Sequence, residues 1–221
     1  MKKNLPNLFF EKRLWKENFI VVGVDEVGRG ALAGPITVGA VCFEPTSSLE
    51  AMKRLEKIGI NDSKKIAPKK RIVLAKIIKQ IALAYDTISL SNFEINRLGL
   101  VKVNEKAVRQ VVAKIEKKLN IGQKLYLLTD AFSIKYIKRV GLKNQKAIIH
   151  GDCVSLSIAA ASIIAKVERD SLMIKMNQRY SYYQWFKNKG YGTKNHIEAI
   201  KKYGPSRFHR NLFLRKIIEG N

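Results

Sequence analysis

The stretch FIVVGVDEVGRGALAGPITVGAVCF, residues 19–43, decides the fold of this chain. Its first six residues, 19–24, are an apolar run that predicts a buried strand, and residues 36–43 predict a second strand. Asp25 and Glu26 follow the first strand directly, where an unpaired buried carboxylate is energetically costly. We therefore expect a functional site at the end of this strand.

Strands and helices are predicted to alternate along the rest of the chain. In residues 68–83 the apolar side chains recur at i, i+3, i+4 and i+7, which is typical of an amphipathic helix. A later helix begins SLSIAAASIIA, and these small and apolar side chains predict close packing against a sheet. The pattern indicates an α/β fold, with further strands at residues 85–90, 125–128 and 147–149 and further helices at residues 93–119, 155–176 and 193–202.

Composition narrows the class of protein. The 221 residues are 46% hydrophobic and 27% charged, as in an ordinary globular chain, which argues against disorder and collagen-like repeats. The net charge of +24 suggests a polyanionic partner, although a solvated lysine-rich surface is the alternative.

Cys42 and Cys153 are too few for a disulfide framework, and three histidines cannot build a zinc pattern. Without a signal peptide or a long apolar run, we expect a cytoplasmic protein and no membrane partner.

Two further carboxylates lie where predicted strands end. Asp130 closes the strand LYLL, and Asp152 lies between a short strand and the long helix. Such strand ends meet at one edge of an α/β sheet, so all four acids can converge there with Asp25 and Glu26. Two Mg²⁺ or Mn²⁺ ions about 4 Å apart would relieve the repulsion and suit phosphodiester hydrolysis. The alternatives are that Asp152 caps the helix and that Asp130 begins a turn.

The glycine-rich link between the first two strands has two interpretations. Gly28, Gly30 and Gly34 miss the spacing of a dinucleotide-binding loop, and Pro35 leads into a strand where that motif needs a helix. We reject that interpretation. The other is close approach of backbone amides to a phosphate or sugar, with Arg29 alongside.

Several motifs, in order from about residue 20 to residue 212, resemble bacterial ribonuclease HII. The motifs are GVDEVGRGALAGP, NDSKK at 61–65, TDAF around Asp130, HGDCVSLSIAAASIIAKVERD at 150–170, GYGTKNH at 190–196 and GPSRFHR at 204–210. The chain departs from the family at Cys153, where alanine is usual, and in HRNLF, where HRxSF is expected.

The resemblance implies a ribonuclease H-like mixed five-stranded sheet flanked by helices, with a C-terminal helical extension. The composition shifts after Asn177, and a boundary placed near residue 178 gives a catalytic domain, residues 1–178, and an aromatic and basic substrate-binding extension, residues 179–221. Residues 1–18 would be a basic leader, too short for the N-terminal domain of ribonuclease HIII. The implied activity is hydrolysis of the RNA strand of RNA–DNA hybrids and cutting 5′ to single ribonucleotides in duplex DNA, leaving 3′-hydroxyl and 5′-phosphate ends, as in ribonucleotide excision repair.

The resemblance also implies roles for individual residues. The four acids, Asp25, Glu26, Asp130 and Asp152, would be catalytic and hold two Mg²⁺ or Mn²⁺ ions. The substrate-binding residues would be the backbone of Gly28, Arg29 and Gly30 at the 2′-hydroxyl, Tyr191 stacked on the following deoxyribose, and Lys64 at a phosphate.

Some of these residues have a structural alternative. Tyr191 lies in an aromatic cluster that can equally be the core of the extension, and Lys64 can be a solvated charge. Ser155, Lys166 and Arg169 are assigned only to structure or phosphate binding. His196 and His209 are interpreted as surface or capping residues, because two-metal hydrolysis needs no histidine base.

The partners implied are RNA–DNA hybrids and ribonucleotide-containing duplex DNA, bound by a monomer; recruitment by a sliding clamp is not indicated. Two other hypotheses stay open. A non-catalytic nucleic-acid-binding protein would depend on charge and aromatic stacking alone. Another ribonuclease H-like nuclease, such as a junction resolvase, would cut DNA that contains no ribonucleotide.

Overall fold

The fold was analysed in a computed structural model that describes residues 5–119 and 124–218. Parts of the predicted leader and extension, residues 1–4 and 219–221, lie outside the described residues. The strands are β1 (Phe19–Val27), β2 (Ile36–Cys42), β3 (Ala84–Leu90), β4 (Lys124–Asp130) and β5 (Gln145–Ile148), and the helices are α1 (Phe9–Lys16), α2 (Leu49–Lys57), α3 (Pro68–Ile81), α4 (Asn92–Leu98), α5 (Leu100–Leu119), α6 (Leu156–Asn177), α7 (Trp185–Asn188), α8 (Lys194–Tyr203) and α9 (Asn211–Ile218).

The strands form one mixed five-stranded sheet in the order β3-β2-β1-β4-β5. β1 pairs with β2 in the antiparallel direction and with β4 in the parallel direction, so β1 is the central strand. β5 continues the parallel side beyond β4. Because β1, β4 and β5 run the same way, their carboxyl ends lie along one edge of the sheet.

Helices cover both faces of the sheet. Alternate side chains of β1 point to opposite faces: Ile20, Val22 and Val24 pack with α5, whereas Val21 packs with α1, α3 and α6. α6 lies very close to the sheet, since a Cβ on Gly23 would stand 2.2 Å from the carbonyl carbon of Ser157. The predicted close packing of this helix on the sheet is therefore confirmed.

A third core joins the C-terminal region to the rest of the molecule. Tyr183 and Trp185 are fully buried there and pack with Met173 of α6 and Ala33 of the glycine-rich link. Backbone hydrogen bonds reinforce the contact, because the amide of Leu32 donates to the carbonyl of Gly190. The glycine-rich link thus packs against the C-terminal region. The division of the chain at residue 178 stays a prediction.

The elements differ from the sequence prediction in a few places. The predicted helix 93–119 is two helices, α4 and α5, separated at Gly99, and α4 begins with a capping box of Ser91 and Glu94. α1 and α2 were not predicted, and β1 extends to Val27 because Glu26 still pairs with β2. Within the described ranges, no helix combines the length and the apolar character that a membrane span requires.

Candidate active site

Three of the predicted carboxylates lie at the carboxyl ends of β1 and β4. The paired positions of these parallel strands run up to Val24 and Thr129, and Asp25 and Asp130 are the next residues along each strand. Both point to the α6 face by strand alternation, whereas Glu26 points to the α5 face. The three carboxylates line one cavity at this end of the sheet.

Asp25 is the most deeply placed of these acids, with 6% of its surface exposed. Its Oδ1 accepts a hydrogen bond from the amide of Glu26 at 2.8 Å, and Ser162 of α6 lines the same cavity. Burial raises the pKa of Asp25 to about 8, and the charges of Glu26, Asp130 and Asp152 add to the rise. The metal-free site therefore disfavours a full set of negative charges.

Glu26 has an unsatisfied oxygen. Burial raises its pKa to about 7, while Arg29 opposes the shift through its charge and a 3.3 Å hydrogen bond to Oε1. The other oxygen, Oε2, is buried and has no hydrogen-bond partner within the described residues. A buried carboxylate oxygen without a donor is costly, and a cation bound at this position would offset that cost.

Asp152 lies apart from the other three. It sits in a short 3₁₀ turn, Gly151–Cys153, whose first amide donates to Oδ1 of Asp130 at 2.8 Å. Ligand atoms of Asp152, Asp62 and Cys153 lie within 4.8 Å of one another. Burial raises the pKa of Asp152, and the charges of Asp62 and Asp130 add to this. The charge of Asp152 thus interacts with the other site acids, but its carboxylate lies next to Asp62.

An open cavity of about 460 Å³ lies over the end of the sheet. Apart from Asp152, every predicted site residue lines it. Ser63, Ser162 and Lys166 line it as well, although sequence reasoning gave no site role to the two serines. The predicted residues on its wall are Asp25, Glu26, Gly28, Arg29, Gly30, Lys64, Asp130 and Tyr191.

Two buried arginines hold the glycine-rich link that forms one rim of this cavity. Arg210 donates to the carbonyls of Gly28 at 2.7 Å and Arg29 at 3.0 Å, and also to those of residues 34 and 35. Arg169 donates to the carbonyl of Pro35 at 2.9 Å. Gly28 has a φ of +94°, and a Cβ there would stand 2.0 Å from Nε of Arg169. Only glycine fits this position.

Tyr191 lies on the opposite rim, bridged to the glycine-rich link by an isolated antiparallel pairing with Ala31. Two cations lie against its ring: Nζ of Lys166 is 5.5 Å and the guanidinium carbon of Arg169 is 5.2 Å from the ring centre. Arg169, assigned from sequence to structure or phosphate binding, is fully buried and bonded to backbone carbonyls, so its role is structural. The ring of Tyr191 is half-buried at the cavity edge.

Comparison with known proteins identifies the family. A sequence model of the family described as Ribonuclease HII matches residues 22–216. The ribonuclease HII of Clostridium acetobutylicum is 46% identical over 202 residues, which cover 91% of this chain and 74% of that protein. This chain belongs to the ribonuclease HII family.

Solved structures agree with this assignment. Ribonuclease H2 from Pyrococcus horikoshii OT3 superposes with a TM-score of 0.69 at 27% identity, covering 90% of this chain and 97% of that one. Bst-RNase HIII in complex with Mn²⁺ superposes with a TM-score of 0.72 at 18% identity, covering 91% and 68%. The predicted ribonuclease H-like fold is confirmed, and the chain is a ribonuclease H, an endonuclease of RNA–DNA hybrids.

Lys64 lies among the carboxylates of this ribonuclease HII. Burial by itself would lower the pKa of Lys64, but Asp152, Asp62 and the other site acids outweigh it and raise the pKa. Lys64 therefore stays protonated and offsets part of the negative charge. Asp170, whose role the sequence left open, accepts a 2.8 Å hydrogen bond from Lys166 and so orients a cation on the cavity wall.

The interpretation of His196 and His209 as surface or capping residues is wrong, because both are fully buried. Nε1 of Trp185 donates to Nε2 of His196 at 3.0 Å, and Nδ1 of His196 bonds the carbonyl of Tyr191 at 2.9 Å. Nδ1 of His209 accepts from the amide of Ser206, so its Nε2 donates across 3.2 Å to His196. These bonds assign both rings as neutral and fix the backbone of Tyr191.

Arg210 and Ser162 are the residues that sequence reasoning missed most clearly. Both lie within motifs that the family resemblance covers, GPSRFHR and the start of α6. An arginine is rarely fully buried, so its sequence position gave no sign that it bonds a loop about 180 residues earlier.

Proposed function

We propose that this ribonuclease HII cuts the RNA strand of RNA–DNA hybrids and, in duplex DNA, the phosphodiester bond 5′ to a single ribonucleotide, leaving 3′-hydroxyl and 5′-phosphate ends. The observation that carries the proposal is the adjacent carboxylates of Asp25, which is buried, and Glu26, which is half-buried; together with Asp130 they line a cavity that the glycine loop and Tyr191 also line. We further propose that it acts as a monomer in ribonucleotide removal in the cytoplasm.

Two divalent ions, Mg²⁺ or Mn²⁺, suit the donor set. Carboxylate oxygens are the ligands these ions prefer, and Oε2 of Glu26 is buried without a hydrogen-bond partner in the part of the chain that the structure describes. Burial raises the pKa of Asp25 and of Glu26, and the negative charges of neighbouring site acids add to both shifts. Asp25, Glu26, Asp130 and Asp152 would hold the ions, and the Mn²⁺ complex of Bst-RNase HIII supports a divalent metal in this fold.

When bound, such ions acidify water and stabilise the departing 3′ oxygen. The chain itself positions the substrate. Lys64 would contact a phosphate next to the carboxylates, since it stays protonated among them. Arg29 is engaged with Glu26 through a 3.3 Å ion pair and is 60% exposed, so it can exchange this partner for a phosphate.

Recognition of the ribonucleotide would come from the glycine loop and the tyrosine. Arg210 occupies the carbonyls of Gly28 and Arg29, which leaves the amide side of the loop for a ligand hydroxyl. RNA differs from DNA in the 2′-hydroxyl, so a donor or acceptor placed there distinguishes the two. The ring of Tyr191, backed by Lys166 and Arg169, would stack on the deoxyribose that follows.

The test uses a DNA duplex with one ribonucleotide, an RNA–DNA hybrid and an all-DNA duplex, each with and without Mg²⁺. We expect a Mg²⁺-dependent cut on the 5′ side of the ribonucleotide, mapped by end-labelled products, and no comparable cut in the all-DNA duplex. Equal cutting of all-DNA substrates would favour a junction resolvase or related nuclease. Binding without cleavage would favour a non-catalytic nucleic-acid-binding protein.

The matched variants are Asp25→Asn and Asp86→Asn. Asp86 lies on β3, away from the cavity, and pairs with Lys114 and Lys118. We expect Asp25→Asn to lower the cleavage rate by at least about 100-fold, because metal-based stabilisation contributes several kcal/mol and 1.36 kcal/mol is tenfold. Substrate binding should be retained or stronger, since a negative charge near phosphate is removed. Asp86→Asn should cleave normally; equal activity of the two variants would contradict the proposal.

A further inference from the structure

The N-terminal helix α1 carries a buried carboxylate that the proposed mechanism does not use. Glu11 is 1% exposed, and its Oε1 accepts hydrogen bonds from the hydroxyls of Ser155 and Ser157, both at 2.7 Å, and from the amide of Ser157 at 2.9 Å. These donors belong to the first turn of α6. A carboxylate at the amino end of a helix interacts favourably with the helix dipole.

The segment before α1 bonds the same stretch of chain. The amide of Asn7 donates to the carbonyl of Val154 at 3.1 Å, and the amide of Leu156 donates to the carbonyl of Asn7 at 3.0 Å. Asn7 and Glu11 together therefore bond every residue from 154 to 157.

The bonded stretch follows directly after Asp152. The 3₁₀ turn that carries Asp152 is held at its front end by the hydrogen bond from the amide of Gly151 to Asp130. The residues that follow the turn, Val154 and Ser155, are hydrogen-bonded to Asn7 and Glu11, respectively. The position of Asp152 relative to Asp130 is thus set from both sides, one of them being α1.

Capping of α6 alone does not require Glu11. Ser155 is the N-cap residue, and its own hydroxyl accepts a hydrogen bond from the amide of Ile158. The packing of α1 does not require it either, since Leu8 and Trp15 bury apolar surface in the core on this face of the sheet. Burial raises the pKa of Glu11, and Oε2 has no partner among the described residues, so keeping a carboxyl group here is costly. A group retained at such a cost needs a use beyond packing.

We propose that Glu11 is a positioning residue that fixes the Asp152 turn against Asp130, and that α1 is therefore part of the framework of the active site. The residue lies outside the part of the chain that the family model matches, residues 22–216. The inference rests on the proposed function, in which Asp152 helps to hold a divalent metal ion.

The test compares Glu11→Ala, Glu11→Gln and Trp15→Ala. Glu11→Ala removes the acceptor, whereas Glu11→Gln keeps an amide oxygen that can accept from the two serines. Trp15→Ala is the matched control, because Trp15 lies on the same helix and its loss destabilises the same core without touching the carboxylate. Mn²⁺ affinity is measured from the electron paramagnetic resonance signal of free Mn²⁺, and amide hydrogen exchange of residues 151–155 is measured on the metal-free protein.

We expect Glu11→Ala to weaken Mn²⁺ binding by about 10- to 100-fold, the range for residues that orient a metal ligand, and to speed exchange in residues 151–155. Glu11→Gln should restore most of the Mn²⁺ affinity and most of the protection of residues 151–155 from amide exchange. Trp15→Ala should lower the unfolding temperature but leave Mn²⁺ affinity within about twofold of the unaltered protein.

The outcomes separate this inference from the proposed function. If the unaltered protein binds Mn²⁺ and Glu11→Ala binds it equally well, or if Trp15→Ala weakens binding as much as Glu11→Ala, only the positioning role of Glu11 is overturned. If the unaltered protein binds no Mn²⁺, the proposed function fails and this inference fails with it. If Glu11→Ala does not fold, Glu11→Asp decides, because it keeps the charge but withdraws the acceptor by one methylene. Weaker Mn²⁺ binding and faster exchange in residues 151–155 than in Trp15→Ala support the role, and values equal to those of Trp15→Ala contradict it.

Discussion

At the scale of single residues, the site depends on buried cations as much as on its acids. Arg210 donates four hydrogen bonds to backbone carbonyls of the glycine-rich link, and Arg169 shares the carbonyl of Pro35 with it. Burial and the nearby charge of Arg169 lower the pKa of Arg210. Two buried like charges are tolerated because carbonyl oxygens surround them. The arginines determine the shape of the loop.

We therefore expect Arg210→Lys to lower the free energy of unfolding by about 3 kcal/mol or more. A lysine cannot reach four carbonyls from one planar group, and each buried acceptor left without a donor costs about 1–3 kcal/mol. Arg207→Lys is the control, since Arg207 is exposed three residues earlier, and it should change stability by less than about 0.5 kcal/mol. Urea unfolding measures both; equal stability of the two variants would mean that the carbonyl contacts contribute little.

The buried histidine pair makes stability depend on pH. Burial lowers the pKa of His209 to about 4, and the charge of His196 adds to the shift. The unfolded chain binds a proton near pH 6.5, whereas the folded chain stays neutral down to about pH 4. Stability is therefore fully present above pH 6.5 and is lost as the pH falls toward 4.

His209→Asn should remove much of this dependence, because asparagine can accept from the amide of Ser206 but does not titrate. We expect the stability of the unaltered protein, relative to the variant, to fall by about 1 kcal/mol per pH unit between pH 6.5 and 4. Urea unfolding at a series of pH values gives the comparison. If the free energies of unfolding of the two proteins changed with pH in parallel, His209 would gain no proton on unfolding, and the prediction would be wrong.

At the scale of elements, the site depends on how closely α6 lies against the sheet. Gly23 on β1 allows this approach, since a Cβ there would stand 2.2 Å and 2.4 Å from backbone atoms of Ser157 and Ile158. The same helix carries Ser162, which lines the cavity with Asp25, and begins just after Asp152. Moving α6 away from the sheet would separate these groups.

Gly23→Ala should lower the free energy of unfolding by about 1–3 kcal/mol or more, because the clash is with backbone and not with a flexible side chain. Gly30→Ala is the control for stability, since a Cβ on Gly30 meets no atom within 4 Å. Thermal and urea unfolding should separate the two variants. A Gly23→Ala protein as stable as Gly30→Ala would contradict the close contact of α6 with β1.

At the scale of the whole molecule, the net charge of +24 surrounds an acidic site. Lysines and arginines that contact phosphates release counterions from nucleic acid, which makes binding depend on salt. The alternative is a solvated lysine-rich surface without a role in binding, and it predicts that the affinity for nucleic acid changes little with salt concentration. The two interpretations of the charge can therefore be separated without reference to catalysis.

With the Asp25→Asn variant and a ribonucleotide-containing duplex, we expect the logarithm of the binding constant to fall linearly with the logarithm of salt concentration. Six phosphate contacts would reduce the affinity by roughly 1,000-fold between 50 and 200 mM salt. Fluorescence anisotropy measures this without cleavage. A slope near zero would assign the excess charge to the solvated surface.

The sequence alone determined the features that follow from local chemistry. The apolar run of residues 19–24, the helical period of 68–83 and the small residues of α6 predicted the sheet and its packing, and the family motifs predicted the ribonuclease H fold, which is confirmed. The roles of Asp25 and Glu26 stay predictions, but their place at the end of a buried strand was evident, because a charge beside such a strand has few structural uses.

Only the tertiary structure decided which distant groups meet. The burial of His209, the bonds from Arg210 to a loop near residue 28 and the orientation of Asp152 toward Asp62 each depend on contacts between residues far apart in the chain. Glu11 belongs with these, because it reaches α6 across more than 140 residues of sequence. Local patterns report how a segment partitions between water and the interior; whether a buried polar group has a partner is decided by the packing of the whole chain.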